Sequence, residues 1–587
     1  MLFVLLFFML LAGRLFYLQV LNGQYYRKVS ENNFLRTLRI EPLRGRIFDR
    51  SGRLLVDNRP SFDLAIIPKD AKHITRVVKH LSRFISVPKS DILKKIKEKS
   101  GLYGFKPVVI KKDIGRDLMG VILEHHMELP GVRIQVTACR QYLYEGLAAH
   151  LIGYLGEINE KELKEGRYPE KEAGDFVGRR GIERVFENIL AGHPGRRIVQ
   201  VDATGRVVRE LERKPQIPGD NIFLTIDVEL QKQAQSLLSG KTGAAVAIDP
   251  RNGAVLALAS SPSFDQNLFV SGISAEQWKA LISDPNHPLE DRAVKGLYPP
   301  ASTYKIVTAM AALEEGLCTT KTTIFCSGFY HFGDRNYWCW KREGHGNLNI
   351  VGALTQSCDV FFYHLGNEIG VDRLAWYARA CGLGTKTGIE LDDEASGLVP
   401  TAGWKMRRRH KAWQAGETLS VAIGQGANLV TPIQMAVLIG AVANGGTLFV
   451  PRVVKRIESA DGKVVKVVKP RIRGRLPAGL HTLEVIKTGL NQVVNNRSGT
   501  AYWHVRSKQV LICGKTGTAQ LRSRKTGAAA RDTKNNALTR PHAWFIGYAP
   551  QKDPKIAVAV LIEHGGHGAS AAGPVARQMI LSYLTGS

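Results

Sequence analysis

The chain runs to 587 residues, 44% hydrophobic and 23% charged, with 81 Lys and Arg against 52 Asp and Glu for a formal net charge of +29. Such a length holds two or three domains, and that hydrophobic share excludes disorder throughout. The charge asks for an anionic partner, but the basic residues are dispersed and no zinc-finger spacing or recognition-helix signature accompanies them, so lipid headgroups and wall polymers fit and no nucleic acid is expected.

Residues 1–21, MLFVLLFFMLLAGRLFYLQVL, are apolar for the length that crosses a bilayer, interrupted by Arg14. The following Asn22-Gly23-Gln24-Tyr25-Tyr26 is a poor cleavage site, so an uncleaved single-pass anchor is expected. Only the terminal amine precedes the apolar run, so the positive-inside rule says little about orientation; a start codon placed too late would explain the missing basic flank.

Residues 22–225 read as a second unit. RGRIFDRSGRLLVDN (44–58) predicts two strands around the turn Asp49-Arg50-Ser51-Gly52. Short strands then alternate with charged helices such as 91–100, and Gly178-Arg179-Arg180-Gly181-Ile182-Glu183 opens a helical segment ending at Gly192. With few clusters of catalytic residue types, this stretch reads as a packing or spacer domain.

Composition changes near residue 226. GAAVAIDPRNGAVLALASS (243–261) predicts a hairpin around Asp249-Pro250-Arg251-Asn252-Gly253. Residues 302–316 predict a helix with Ile306, Val307, Met310 and Leu313 on one face and Gly316 as its stop. Thr431-Pro432 caps a helix running to Gly445-Gly446. WFIGY (544–548) and IAVAVLIE (556–563) predict a second hairpin around Pro554, and a last helix is expected after Gly573-Pro574. Hairpins with helices make residues 226–587 an α+β domain, not a βαβ repeat.

The helix at 302 begins with Ser302-x-x-Lys305 behind Pro299-Pro300. One turn places hydroxyl and amine on the same face. A serine needs a base to take its proton, and a lysine in a dry site beside other cations can serve. The helix start also presents free N–H groups to developing negative charge. Alone the pattern is weak: Ser86-Val87-Pro88-Lys89 matches it too, but has Pro88 in the would-be first turn and no partner motifs. Ser302 has partners in Ser357-Cys358-Asp359 and in Lys515-Thr516-Gly517-Thr518. Lys-Thr-Gly also starts at 241, 386 and 525, yet only the copy at 515 follows an apolar run, Val510–Cys513, and continues as Thr-Ala-Gln. Gly517 would let a substrate backbone lie against the strand edge.

Ser-x-x-Lys, Ser-x-Asn and Lys-Thr-Gly in this order mark the penicillin-binding proteins and serine β-lactamases. The chain departs in having Asp359 where Asn is usual and Ala301 where glycine commonly precedes the serine. QSCDVFFYHLG, YPPASTYKIVTAMAALEEG, GHGNLNI, IGQGANLVTPIQMA, GKTGTAQ, AWFIGYAP, ELPGVRIQ, RGRIFDRSGRLLVDN and RLFYLQVLNGQYY all resemble the elongation-specific branch of the class B penicillin-binding proteins, and together span nearly the whole chain. The resemblance implies a transmembrane anchor (1–21), an elongated pedestal of the dimerisation type (22–225), and a penicillin-binding/serine β-lactamase-type transpeptidase domain with an antiparallel sheet flanked by helices (226–587). It implies a peptidoglycan D,D-transpeptidase that acts in lateral wall elongation and is acylated by β-lactams. The chain would sit in the bacterial inner membrane with its catalytic domain in the periplasm.

With the chemistry above, the resemblance implies that Ser302 attacks, Lys305 takes its proton, Ser357 relays a proton to the leaving D-Ala, and Asp359 orients Lys305 or the substrate amide. Lys515, Thr516 and Thr518 would hold the terminal carboxylate, with the N–H groups of Ser302 and Thr518 as oxyanion hole. Implied partners are stem peptides, a separate polytopic glycan polymerase and the rod-shape elongation machinery. A β-lactamase, a carboxypeptidase, a β-lactam sensor and the division-specific relative are the competing readings; the first would be smaller and lack a pedestal, and a sensor would carry further spans or a signalling domain.

Cys326, Cys339, His345 and Cys358 are gathered around the serine motifs. Three thiolates and an imidazole suit a structural Zn²⁺, as some members of this branch carry with acidic residues at two of the positions. A Cys326–Cys339 disulfide or inert buried thiols are the alternatives. Cys139, Cys318, Cys381 and Cys513 show no pairing logic.

Overall fold

A computed structural model describes residues 1–24, 34–71, 73–99, 107–201, 207–520 and 539–586. Its first helix, Leu2–Leu21, has 20 residues with none buried, and among the described residues it alone is long and apolar enough to cross a membrane. At 1.5 Å per residue it spans about 30 Å.

The pedestal is built on one long antiparallel pair, Leu54–Ile66 against Val132–Tyr142, in unbroken register from Val56↔Tyr142 to Ile66↔Val132. At its far end Leu64, Ile66, Val77, Val78, Leu81, Ile92, Val108 and Ile110 form a separate apolar core under the helices Ile74–Phe84 and Lys89–Lys99. Ser86 and Lys89 lie there, both exposed and remote from the other motifs.

At the near end the two motif stretches of the pedestal meet. Arg44 Nε donates to Glu183 Oε2 at 2.7 Å, Arg140 Nε to Glu183 Oε1 at 2.8 Å, and Arg44 Nη2 to Glu187 Oε2 at 2.7 Å. Burial works against the charge on Glu183, but Arg140 and Arg44 outweigh it and hold the carboxyl below its ordinary range. The fully buried Glu183 is thus the anion that keeps two guanidinium groups out of water.

Pedestal and second unit are joined through a shared sheet. Ile47–Phe48 pairs in parallel with Asn221–Leu224, which pairs antiparallel with Val454–Glu458, so one sheet of seven strands crosses from one unit into the other. Lys455 Nζ donates to Arg50 O and Arg50 Nη1 to Tyr583 Oη across the same seam.

The second unit has a five-stranded antiparallel sheet in the order Val255–Ser261, Gly243–Ile248, Ile556–Ile562, His542–Ala549, Cys513–Ala519. The period-2 alternation sends Ala245, Ala247, Phe545, Val558 and Val560 to a core shared with Val228–Leu237 and the C-terminal helix. Val246, Trp544, Ile546, Ala559 and Leu561 face a larger core shared with Lys305–Glu314 and Pro432–Ala443. Thr431 caps the latter helix with Gln434 in a reciprocal capping box and Pro432 at its start, as its sequence demands.

Two sequence expectations need correction. The C-terminal helix starts at Gly568, not after Pro574; Gly568 abuts the Trp544 and Gly517 backbones, and the helix carries Pro574 inside it. Residues 301–304 form a 3₁₀ turn ahead of the α-helix Lys305–Glu314, because Ala301 sits in the left-handed region at φ +51 and the chain must tighten before it can propagate.

Replacing Glu183 by Ala leaves Arg44 and Arg140 buried without their shared anion, and should cost about 3–5 kcal/mol in urea unfolding. Because the Glu183 value is depressed on folding, the wild-type advantage should be full above the ordinary glutamate range and fade as pH falls below it.

Candidate active site

Ser302 lies in the tight turn Ala301–Tyr304, and three bonds fix that turn. Ala301 N donates to Gly424 O at 2.8 Å, Trp544 Nε1 to Pro299 O at 3.0 Å, and Thr303 Oγ1 to Pro300 O at 2.6 Å. The left-handed φ of Ala301 explains why glycine suits that position in the resembling family. Gly517 serves this turn too: a Cβ there would lie 3.1 Å from Thr303 Cγ2 and 3.2 Å from Pro300 O. Its missing side chain makes room for the nucleophile turn.

Lys305 and Lys515 are both fully buried and converge on Ser357. Lys305 Nζ lies 2.7 Å from Asp359 Oδ1, 2.9 Å from Ser357 O and 3.3 Å from Ser357 Oγ. Among the described residues no hydrogen bond joins it to Ser302 Oγ; the amine is turned towards the second motif. Lys515 Nζ lies 2.8 Å from Ser357 Oγ and 3.2 Å from Thr516 O. Burial pushes the Lys515 amine well below its ordinary value, the Lys305 charge pushes the same way, and Asp359 pulls against both. The oxygen of Ser357 therefore accepts from two amines, which leaves its own O–H free to donate elsewhere. Ser357 is held at φ +54, a left-handed conformation that turns its hydroxyl between the two lysines.

Cys513–Ala519 is the last strand of its sheet, and among the described residues it pairs only with His542–Ala549, so its other edge has no strand partner there. Thr516 Oγ1 is 2.8 Å from Thr500 Oγ1, and Thr518 Oγ1 accepts from Gly568 N at 3.5 Å. The other Lys-Thr-Gly copies are elsewhere: Lys241 precedes the strand starting at Gly243, Thr387 is buried against Glu394, and the copy at 525 lies outside the described residues.

Cys326, Cys339, His345 and Cys358 offer ligand atoms within 4.8 Å of one another. His345 Nδ1 is 3.5 Å from both Cys326 Sγ and Cys339 Sγ. A hydrogen bond with Cys358 draws the Cys339 thiol down, and the same contact raises the Cys358 thiol. All seven cysteines are free thiols, so the Cys326–Cys339 bridge does not form. The cluster abuts the second motif: Asp359 N donates to Cys339 Sγ at 3.4 Å and Trp340 N to Asp359 Oδ2 at 3.0 Å.

Sequence reasoning missed Gly424, Thr500, Trp340 and the Trp544 indole. Each acts through a backbone group or across a long separation, and carries no local signature.

An exposed-edge strand ending beside a serine turn, with two buried amines on a second serine, defines a serine acyl-transfer enzyme. Residues 243–581 match the penicillin binding protein transpeptidase domain and residues 39–224 the penicillin-binding protein dimerisation domain. The chain belongs to the penicillin-binding protein transpeptidase family. It is 36% identical to the peptidoglycan D,D-transpeptidase MrdA of Escherichia coli K12, over 98% of this chain and 92% of that one. The complex between penicillin-binding protein PBP2 and MreC from Helicobacter pylori is similar in structure, with a TM-score of 0.82 and 30% identity over 94% of this chain and 100% of that one. A structure described as coordinating polymerization and crosslinking in a peptidoglycan synthase complex is similar at a TM-score of 0.73 and 33% identity, over 99% and 97% of the two chains.

Because Lys515 is buried at the expense of its charge, Lys515→Met should raise the thermal midpoint by a few degrees, roughly the effect of a 1 kcal/mol gain. The same substitution should lower acylation by a β-lactam at least about 100-fold.

Proposed function

We propose that the chain is a peptidoglycan D,D-transpeptidase that cross-links stem peptides during wall elongation, and that Ser302 is its nucleophile. The observation that carries the reading is the convergence of Lys305 and Lys515 on Ser357 beside the Ser302 turn and the free strand edge. A stem pentapeptide lies along Cys513–Ala519, its terminal carboxylate on Lys515 and the hydroxyls of Thr516 and Thr518. Ser302 Oγ attacks the carbonyl carbon of the penultimate D-Ala and gives its proton to Lys305, which Asp359 holds in place. The N–H groups of Ser302 and Thr518 receive the developing oxyanion. As the C–N bond breaks, Ser357 gives its proton to the departing D-Ala amine and takes the one held by Lys305, whose Nζ lies 3.3 Å from Ser357 Oγ. The amine of a second stem peptide then attacks the Ser302 ester, forming the cross-link and returning the proton to Ser302. A β-lactam forms the same ester and lacks a leaving group that departs, so the enzyme stays acylated.

In this reading residues 1–21 anchor the chain in the inner membrane, 22–225 form the pedestal and 226–587 the periplasmic catalytic domain. A polytopic glycan polymerase and the elongation machinery are its partners; the similarity to an MreC-bound protein and to a synthase complex supports this.

Cys326, Cys339, His345 Nδ1 and Cys358 would hold a structural Zn²⁺. Four ligand atoms within 4.8 Å fit a tetrahedron with Zn–S near 2.3 Å, whose sulfurs lie roughly 3.8 Å apart. The ion would supply four bonds tying the hairpin Phe329–Trp338 and its flanks to the second motif.

With synthetic donor pentapeptide and an amine acceptor, the wild type should release one D-Ala per cross-link, and Ser302→Ala none; D-Ala release without cross-link would favour a carboxypeptidase. Elemental analysis should find about one zinc per chain. Cys326→Ser should lose it and lower the thermal midpoint, whereas zinc-free wild type with unchanged stability would remove the metal from the account.

A further inference from the structure

The steps above leave one loop without a role. Gly424, Gln425 and Gly426 follow the helix Ala415–Ala422 and lie between the two halves of the site. On one side Gly424 O accepts the N–H of Ala301, the residue before the nucleophile, at 2.8 Å. The approach is close: a Cβ on Gly424, at φ +71, would sit 2.2 Å from Ala301 O. On the other side Gln425 Nε2 donates to Thr518 O at 3.3 Å. Two consecutive residues thus bind both walls of the oxyanion hole, although Ser302 and Thr518 belong to different layers of the domain.

The bond to the Thr518 carbonyl has a geometric consequence. In a β-strand the N–H and C=O of one residue leave on the same side. Thr518 stands opposite Ala543 on the neighbouring strand His542–Ala549, and its carbonyl turns to Gln425 instead. Its N–H therefore points off the free edge, where the substrate lies. Gly568 N holds the Thr518 hydroxyl at 3.5 Å and the ladder with His542–Ala549 sets the strand's alternation, so the Gln425 bond is the side-chain contact that braces the outward-facing backbone of Thr518.

We infer that Gln425 is a positioning residue for the oxyanion hole: its side-chain amide fixes the Thr518 backbone so that this N–H and that of Ser302 meet on one oxygen. The inference rests on the transpeptidase reading above. The side chain touches no reacting atom, and it is partly exposed, so its removal leaves no buried cavity.

The test uses the purified full-length protein with a chromogenic cephalosporin, comparing wild type, Gln425→Ala and Gln425→Glu. Rapid kinetics separate non-covalent binding from the acylation step, and infrared difference spectra report the ester carbonyl stretch of the acyl-enzyme. Gln425→Ala should slow acylation roughly 10-fold or more with little change in prior binding. Its ester carbonyl should move to higher wavenumber, because one hydrogen bond to that oxygen is lost, while the thermal midpoint stays within a few degrees of wild type. Gln425→Glu should be slower at neutral pH and recover as pH falls and the carboxyl regains a proton to donate. An acylation step and carbonyl band both equal to wild type would overturn the inference, as would a rate loss matched by a fall in thermal midpoint with the band unmoved. A wild type that fails to acylate at Ser302 would instead bring down the transpeptidase reading itself.

Discussion

Taking an ammonium out of water costs several kcal/mol unless an anion lies against it, and this site buries two ammonium-bearing side chains around a single carboxylate. Of the two amines Asp359 contacts that of Lys305; Lys515 has the Ser357 hydroxyl and a carbonyl. The imbalance depresses Lys515 and keeps the region short of negative charge, which suits a pocket that must receive a carboxylate and an oxyanion. Asp359 in place of the usual asparagine follows the same logic, since among the described residues it is the carboxylate paired with Lys305. The hairpin with the Cys/His cluster reaches this point as well, through Trp340 N on Asp359 Oδ2, so the arrangement of the second motif depends on how that hairpin is held.

The pedestal obeys a similar rule. Glu183 neutralises Arg44 and Arg140 in a dry interior, and the strand pairing beside it continues into the catalytic domain through Asn221–Leu224. Shared backbone hydrogen bonds resist shear far better than a linker does. The pairing runs on to Val454–Glu458, and the Ala254–Arg452 bridge joins that region to the central sheet.

Much of this was legible in the sequence where the signal is local. The apolar runs at 243–261 and 544–563 gave both hairpins, and the Thr431-Pro432 cap gave its helix, because each is decided within a few residues. The three serine–lysine motifs were legible from residue type and order, and the structure brings Ser357 together with Lys305 and Lys515. Long-range geometry was not. Nothing near Lys305 says that its amine turns to Ser357 rather than Ser302, and nothing near Gln425 says that it reaches Thr518. Gly517 was read as space for substrate, and the approach of the Ser302 turn to the same residue was not legible, because a glycine reports that something comes close without saying what. Arg44 and Glu183 were each in a stretch singled out from sequence, but their pairing spans 139 residues and has no periodicity to betray it.

The most direct measurement is the site of acylation. The full-length protein, treated with penicillin and digested, should give one modified peptide carrying the drug on Ser302, and none from Ser302→Ala. An adduct on another residue, or one that survives in Ser302→Ala, would contradict the account at its centre.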